Sequence, residues 1–244
     1  MLATNVSHDT LFDGKLTCAQ SQDGYRFSID AVLLAHFARP RPHDRVLDLG
    51  AGCGVVSLIL ACRHPTIVLT CLEIQDSLCQ LITYNIRQNG LADRLQLLPG
   101  DLRHIRKFMA VGSFDLVLCN PPYFSLGSGR QNPTDEQSLA RHELTAGLAD
   151  VVQAAAFALR TRGRLAMIYP AARGAALLSA LRQRQLEPKR LQVVHPYPGA
   201  DATLFLVEAV KGGGEELIVL PPLYVHDRPG GDYSPAVAAY YRLD

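Results

Sequence analysis

The feature that most constrains the fold is an apolar strand that runs into three closely spaced glycines and then into an apolar helix. Val46–Leu49 is the strand, Gly50, Gly52 and Gly54 follow at G-x-G-x-G spacing, and the run 55–61 suits a helix. Glycines at such a turn let the backbone approach a ligand closely, and the helix aims N-terminal N–H groups into the crevice at the carboxyl end of a sheet. The spacing differs from the G-x-G-x-x-G of a simple dinucleotide fold.

Candidate strands and helices alternate from this turn onward. Seven strands are predicted, at 45–49, 67–72, 94–98, 114–119, 163–169, 190–195 and 202–210. Most are separated by helices, such as 75–89 and 148–160, and a further helix at 28–38, with Ser28 as its cap, precedes the first. The alternation predicts an α/β fold with a mostly parallel sheet covered on both faces.

The length of 244 residues suits one α/β domain. We expect a single domain at 28–244, preceded by an N-terminal extension at 1–27 that contains a short hairpin around 14–20. Near the end, Ser234 and Pro235 have the pattern of an N-cap and a first-turn proline of a short helix.

Carboxylates follow or close the first three of these strands. Asp48 precedes the glycine turn, and Glu73 closes the next strand, near the spacing at which an acidic residue meets a ribose diol. Asp101, followed by Leu102, ends the third strand and could accept a hydrogen bond from an adenine amino group. A solvated turn aspartate is the alternative interpretation of Asp101.

The sequence Asn120-Pro121-Pro122-Tyr123 closes the fourth predicted strand. The Asn120 side-chain oxygen and the Pro121 backbone oxygen can each accept a hydrogen bond from an NH2 group, and the Tyr123 ring offers a face for an unstacked base. Two prolines hold the turn stiff. These groups suit a flat base with an exocyclic amine, although a proline-rich connection without chemistry is the alternative.

The glycine turn and the Asn-Pro-Pro-Tyr turn together resemble class I S-adenosylmethionine-dependent methyltransferases that act on adenine, guanine or glutamine amides. Three further segments, 24–35, Arg141-His142-Glu143 and 220–225, resemble the bacterial tRNA adenine-N6 methyltransferase family that modifies the adenosine 3′ of the valine tRNA anticodon. The resemblance covers roughly residues 10 to 230. It implies a Rossmann-like, seven-stranded, mostly parallel sheet whose last strand is antiparallel.

The resemblance also implies a donor, S-adenosylmethionine, which leaves as S-adenosylhomocysteine, and a set of site residues. Those expected at the reacting amine are Asn120, Pro121, Pro122 and Tyr123. Those expected at the donor are Asp30, Asp48, Gly50, Gly52, Gly54, Glu73, Asp101, Leu102 and Asn120. No metal is expected. The segment 141–143 lies near the active site in the family, while a salt-bridged helix start is the alternative. The loop 124–135 is either a lid or a surface connection.

The expected substrate is adenine in RNA, most simply a tRNA anticodon loop. Two rival enzymes remain open, a glutamine-amide methyltransferase acting on a protein and a guanine-N2 methyltransferase acting on ribosomal RNA. A donor-binding module without catalysis is a third possibility, although it would more naturally have lost Asn120 or Tyr123.

Composition limits these hypotheses. The net charge is only +1, so phosphate binding would need a local basic patch. The candidates are Arg39, Arg41, Arg45, Arg160, Arg162, Arg164, Arg173, Arg182, Arg184, Lys189 and Arg190. Solvated helix and loop positions are the alternative for most of them.

Six cysteines without C-x-x-C spacing predict reduced packing residues rather than a zinc site. The apolar runs are too short to cross a bilayer, and the N-terminus lacks the pattern of a signal peptide, so we expect a cytoplasmic protein without a membrane partner. A monomer is favoured.

Overall fold

The computed structural model describes residues 6–22, 27–121 and 146–243. Its strands are β1 Val6–Leu11, β2 Leu16–Ser21, β3 Arg45–Leu49, β4 Val68–Glu73, β5 Leu95–Pro99, β6 Phe114–Cys119, β7 Leu159–Pro170, β8 Leu186–His195, β9 Leu204–Lys211, β10 Ile218–Val219 and β11 Leu223–Tyr224. Its α-helices are α1 Ile29–Phe37, α2 Val55–Arg63, α3 Asp76–Gln88, α4 Leu148–Ala158, α5 Gly174–Gln183 and α6 Pro235–Ala239. Two 3-10 helices cover Leu102–Lys107 and Ala171–Arg173.

The main sheet contains all seven predicted strands, in the spatial order β5-β4-β3-β6-β7-β9-β8. β9 is antiparallel to both neighbours, and the other six run parallel to one another. The predicted mostly parallel sheet is therefore confirmed. The short strands β10 and β11, which were not predicted, pair with β8. β7 and β8 begin earlier than predicted, because Leu159 already pairs with Phe114 of β6 and Leu186 already pairs with Lys211 of β9.

The parallel strands end at one side of the sheet, called here the carboxyl edge, and begin at the opposite side, the amino edge. β3 lies between β4 and β6, so the chain order reverses there. The glycine turn follows β3, and Glu73 ends β4. Asp101 follows β5, and Asn120 follows β6. Candidate groups far apart in sequence are thus brought to the crevice where ligands of open α/β sheets bind.

Apolar side chains cover the sheet on both faces. One layer joins α1, α2, α3, α6 and the β1–β2 hairpin, and the other joins α4 and α5. A hairpin is present as predicted, but it is longer, since β1 at Val6–Leu11 precedes the predicted range of 14–20 and pairs antiparallel with β2. Phe12, Leu16 and Cys18 of this hairpin are fully buried in the first layer. The boundary between residues 27 and 28 stays a prediction, but the described hairpin shares the core of the larger unit.

Two predicted helix caps have different outcomes. Ser234 caps α6, because its side chain accepts a hydrogen bond from the Val237 N–H, and Pro235 occupies the first turn. Ser28 occupies the N-cap position of α1 but makes no capping hydrogen bond from its side chain.

Among the residues described, no helix has the length and apolar character needed to cross a membrane.

Candidate active site

The glycine turn has a backbone conformation that L side chains rarely adopt. The φ angles of Gly50, Gly52 and Gly54 are +68°, +62° and +83°. A Cβ atom at Gly50 or Gly52 would meet nothing within 4 Å. The positive φ angles therefore explain why glycine occupies these positions. Because no side chain covers Gly50 or Gly52, a ligand can lie against their backbone.

Hydrogen bonds from β4 hold this turn in place. The Gly50 and Ala51 N–H groups donate to the Leu72 carbonyl at 2.9 and 3.2 Å. The Gly52 N–H donates to Glu73 Oε2 at 2.9 Å. β4 thus fixes the turn through its backbone and through the side chain that ends it.

The Glu73 carboxylate is almost fully buried, with 4% of its surface exposed. Besides the Gly52 bond, Oε1 accepts hydrogen bonds from the N–H groups of Ile74 and Gln75 at 3.0 and 2.9 Å. Burial raises the pKa of Glu73, and these backbone hydrogen bonds oppose the rise. An ionised carboxylate has about four acceptor positions. Three are used by the backbone, so Oε2 retains capacity for one hydroxyl, which fits the ribose expected here.

Asp48 is buried at the end of β3 and joins this strand to α2. Its Oδ2 accepts a hydrogen bond from the Ser57 hydroxyl at 2.8 Å. Burial raises the pKa of Asp48 to about 7, the Ser57 hydrogen bond opposes the rise, and the charge of Glu73 adds to it. Asp48 therefore binds Ser57 on α2, the helix that follows the glycine turn.

The remaining candidate donor residues differ in their contacts. Asp30 is in the first turn of α1, and burial raises its pKa. Asp101 caps the 3-10 helix that begins at Leu102. Its carboxylate is paired with the Arg103 guanidinium at 2.7 Å. Burial raises the pKa of Asp101, but the Arg103 hydrogen bonds and charge outweigh this effect, so the net shift is downward.

Asn120 is half-buried and Pro121 is buried directly after β6. Leu118 pairs with Asp48 across the two strands, which brings Asn120 beside the start of the glycine turn. The Cys119 thiol donates to the Leu49 carbonyl at 3.3 Å and further joins the strand ends. Pro122, Tyr123, the loop 124–135 and the segment 141–143 lie outside the described residues.

Three residues of this region were not identified as site residues from the sequence. Ser57 orients Asp48, and Asn85 on α3 reaches the glycine turn. Gly100 has room only for a hydrogen, because a Cβ there would lie 2.6 Å from the Phe108 ring. A signal for Asn85 was available, since it interrupts an otherwise apolar face of an amphipathic helix.

The cysteines serve mainly as core residues in the described ranges. All six are free, and Cys62 is the one that is not fully buried. Cys18 and Cys53 bring their sulfur atoms to 3.8 Å across the contact between the hairpin and the glycine turn. The described residues contain no group of three or more His, Cys, Asp or Glu side chains arranged to hold a metal ion.

Most candidate phosphate-binding arginines lie toward the amino edge, away from the glycine turn. Arg182 is in the last turn of α5, and Arg184 lies between α5 and β8. Arg182 pairs with Glu187 and Glu215 at 3.2 and 3.1 Å. The Arg164 side chain is buried and pairs with Asp44 at 2.6 Å. These arginines are close together in the sequence, but ion pairs within the chain already occupy several of them.

The family model described as methyltransferase small domain matches residues 28–183. Similar curated proteins include the tRNA1(Val) (adenine(37)-N6)-methyltransferase of Parabacteroides distasonis, 29% identical over 80% of each chain. The protein of the same name from Shewanella sp. strain MR-7 is 32% identical over 60% of this chain and 61% of its own.

Solved structures support the same fold. A predicted O-methyltransferase from Agrobacterium tumefaciens superposes with a TM-score of 0.71 at 23% identity, covering 87% of this chain and 95% of its own. TrmN from Thermus thermophilus superposes with a TM-score of 0.54 at 22% identity, covering 74% of this chain and 48% of its own.

The raised pKa of Asp48 predicts a pH-dependent stability. Between the ordinary value of 3.8 and about 7, the folded protein keeps a proton on Asp48 that the unfolded chain has released. The free energy of unfolding should therefore fall as pH rises through this window and then level off. In an Asp48→Asn variant the part of this fall that comes from Asp48 should be absent, as measured by urea unfolding from about pH 4.5 to pH 8.

Glu73 titrates in both proteins, so the difference between wild type and variant cancels most of its contribution. A Ser57→Ala variant should extend the fall to higher pH, because it loses the hydrogen bond that lowers the pKa of Asp48. A difference between wild type and Asp48→Asn that does not vary with pH would contradict the assignment.

Proposed function

The chain belongs to the methyltransferase small domain family, and on that premise we propose that it methylates N6 of adenine in tRNA. The proposed position is the adenine named in its relatives, adenine 37 of valine tRNA. The enzyme is an S-adenosylmethionine-dependent N-methyltransferase. The cytoplasmic location and the monomeric state stay predictions.

One observation carries the proposal: the glycine turn, the buried Glu73 carboxylate and the Asn120-Pro121 turn meet at one edge of the sheet. β3 and β6 are hydrogen-bonded neighbours, and the Gly52–Glu73 bond joins β3 to β4. A donor held at β3 and β4 is therefore adjacent to an amine held after β6. Holding two reactants in line accounts for much of the rate in such displacements.

The donor side uses residues with remaining hydrogen-bond capacity. When bound, S-adenosylmethionine supplies a methyl group activated by its positive sulfonium. Glu73 would accept from a ribose hydroxyl, and the open faces of Gly50 and Gly52 would let the donor lie against the backbone. Asp30, Asp48, Gly54, Asp101, Leu102 and Asn120 complete the proposed donor site.

The acceptor side needs no charged base. The Asn120 side-chain oxygen and the Pro121 carbonyl would each accept a hydrogen bond from the adenine amino group. Two such bonds draw the nitrogen lone pair out of the ring and toward the methyl group, and the proton can leave to water afterwards. Pro122 would stiffen the turn, and Tyr123 would stack on the base.

The test is methylation of a valine tRNA transcript followed by mass spectrometry of its nucleosides. We expect N6-methyladenosine in the normal transcript and none when adenine 37 is replaced by guanine. Formation of N2-methylguanosine would favour the ribosomal RNA alternative. Methylation of a protein glutamine without any RNA product would favour the amide alternative, and donor binding without transfer to either would favour a module that lacks catalysis.

Replacement of Glu73 by alanine should weaken donor binding, because a charge-assisted contact to the ribose is lost. The expected loss is about 1.5 to 3 kcal/mol, roughly ten- to a hundredfold in affinity. Calorimetry with S-adenosylhomocysteine measures it. Asp76→Ala is the matched control, since this exposed carboxylate on α3 is only three positions away. Unchanged affinity in Glu73→Ala would refute the assignment of Glu73.

Variants of Asn120 and Tyr123 should lose methylation activity for different reasons. Asn120→Ala should lower the single-turnover rate on the order of 100-fold, since an aligned transition-state contact is lost. Its donor and RNA affinities should change little. Tyr123→Ala should lose stacking worth about 1 to 3 kcal/mol and weaken both capture and rate, whereas Tyr123→Phe should remain active. A wild-type single-turnover rate in Asn120→Ala would exclude the mechanism.

A further inference from the structure

Two asparagines on α3 attach the N-terminal hairpin to the rest of the chain. Asn85 Oδ1 accepts from the Ala19 N–H at 2.7 Å, and its Nδ2 donates to the Ala19 carbonyl at 3.0 Å. Asn89 binds the N–H and carbonyl of Thr17 in the same way, at 2.9 and 2.7 Å. Four residues of a helix advance about 6 Å and two residues of a strand about 6.6 Å, so the two amides match the repeat of β2.

Only one of the two amides also reaches the glycine turn. Asn85 Nδ2 donates its second hydrogen to the Cys53 carbonyl at 3.0 Å. The second hydrogen bond of Asn89 Nδ2 goes instead to the Asn85 carbonyl, within α3. Asn85 is 1% exposed, so water does not compete for these bonds. The two residues therefore make equivalent hydrogen bonds with the β2 backbone. Asn85 differs by its contacts with the Cys18 sulfur, at 3.8 Å, and with the turn.

The Cys53 carbonyl belongs to the peptide group that ends the turn. On the other side of this peptide, the Gly54 N–H donates to the Ala51 carbonyl at 2.9 Å. Both ends of the peptide group are thereby fixed. Glycine backbones are conformationally permissive, so a turn with three glycines depends on such contacts to stay in one conformation. β4 fixes the turn from the sheet, and Asn85 fixes it from α3 and the hairpin.

We propose that Asn85 is a positioning residue for donor binding, which couples the N-terminal hairpin to the glycine turn. This inference rests on the proposed use of the turn as the donor site. Asn85 touches neither the donor nor the acceptor in this account. Asn85 acts by keeping the peptide group between residues 53 and 54 in the conformation to which the donor binds. Because Asn85 also binds β2, the hairpin helps to hold the donor site in place.

The test compares Asn85→Ala with Asn89→Ala, because both variants lose two bonds to the β2 backbone and only the first loses the bond to the turn. The melting temperatures of both variants are measured first. The affinities for S-adenosylhomocysteine and for tRNA, and the donor KM and kcat, are then measured below both melting temperatures. Both variants should melt earlier than wild type. The affinity for S-adenosylhomocysteine should fall about tenfold in Asn85→Ala, as expected for one buried hydrogen bond, and less than twofold in Asn89→Ala.

The donor KM should rise with the dissociation constant in Asn85→Ala, while kcat at saturating donor and the affinity for tRNA stay near wild type. Equal losses of donor affinity in both variants, or none in a folded Asn85→Ala protein, would overturn the inference. If alanine prevents folding, Asn85→Asp and Asn89→Asp replace the pair. Aspartate keeps the acceptor for the β2 N–H and loses the donor to the β2 carbonyl in both variants, and only Asn85→Asp also loses the donor to Cys53. The same ordering is expected.

The wild type separates this inference from the proposed function. Failure of wild-type protein to bind S-adenosylhomocysteine would overturn both. Donor binding without methylation of tRNA would refute the proposed substrate, while the contrast between Asn85 and Asn89 would still decide the positioning role.

Discussion

The Glu73 carboxylate accepts three backbone hydrogen bonds, and the one from the Gly52 N–H joins the end of β4 to the glycine turn after β3, while the other two come from Ile74 and Gln75. The geometry of the carboxyl edge depends on this contact. A permissive turn can serve as a binding surface only when its peptide groups are fixed, and a buried carboxylate fixes them more strongly than a neutral acceptor would. The same side chain keeps one acceptor position for a ligand, so the scaffold and the site share a residue.

Burying carboxylates beside this turn has an electrostatic cost. Burial raises the pKa values of Asp30, Asp48 and Glu73. Burial also raises the pKa of the Cys71 thiol, and the charge of Asp48 adds to this rise. When ionised, these carboxylates place negative charge in a poorly solvated region. A donor with a positive sulfonium would offset part of this cost, and its product, which lacks that charge, would offset less of it.

The candidate phosphate-binding arginines are close together in the sequence, but the fold places most of them away from the glycine turn. Arg182 and Arg164 counted as candidate phosphate contacts because they cluster in the second half of the sequence. In the fold, parallel strands place the starts of β7 and β8 at the amino edge. Carboxylates such as Asp44 and Glu187 pair with these arginines there. Contacts of the proposed tRNA substrate with the carboxyl edge would therefore come mainly from other residues.

The sequence by itself determined the seven main strands, the hairpin and the chain positions of Asp48, Glu73 and Asn120, because local apolar patterns and turn residues encode them. Only the tertiary structure decided what surrounds these groups. The Ser57 bond to Asp48 is local in sequence, yet the contact of Asn85 with the hairpin joins residues 66 positions apart. The partner of a buried polar side chain depends on how distant elements pack. No local pattern specifies that packing.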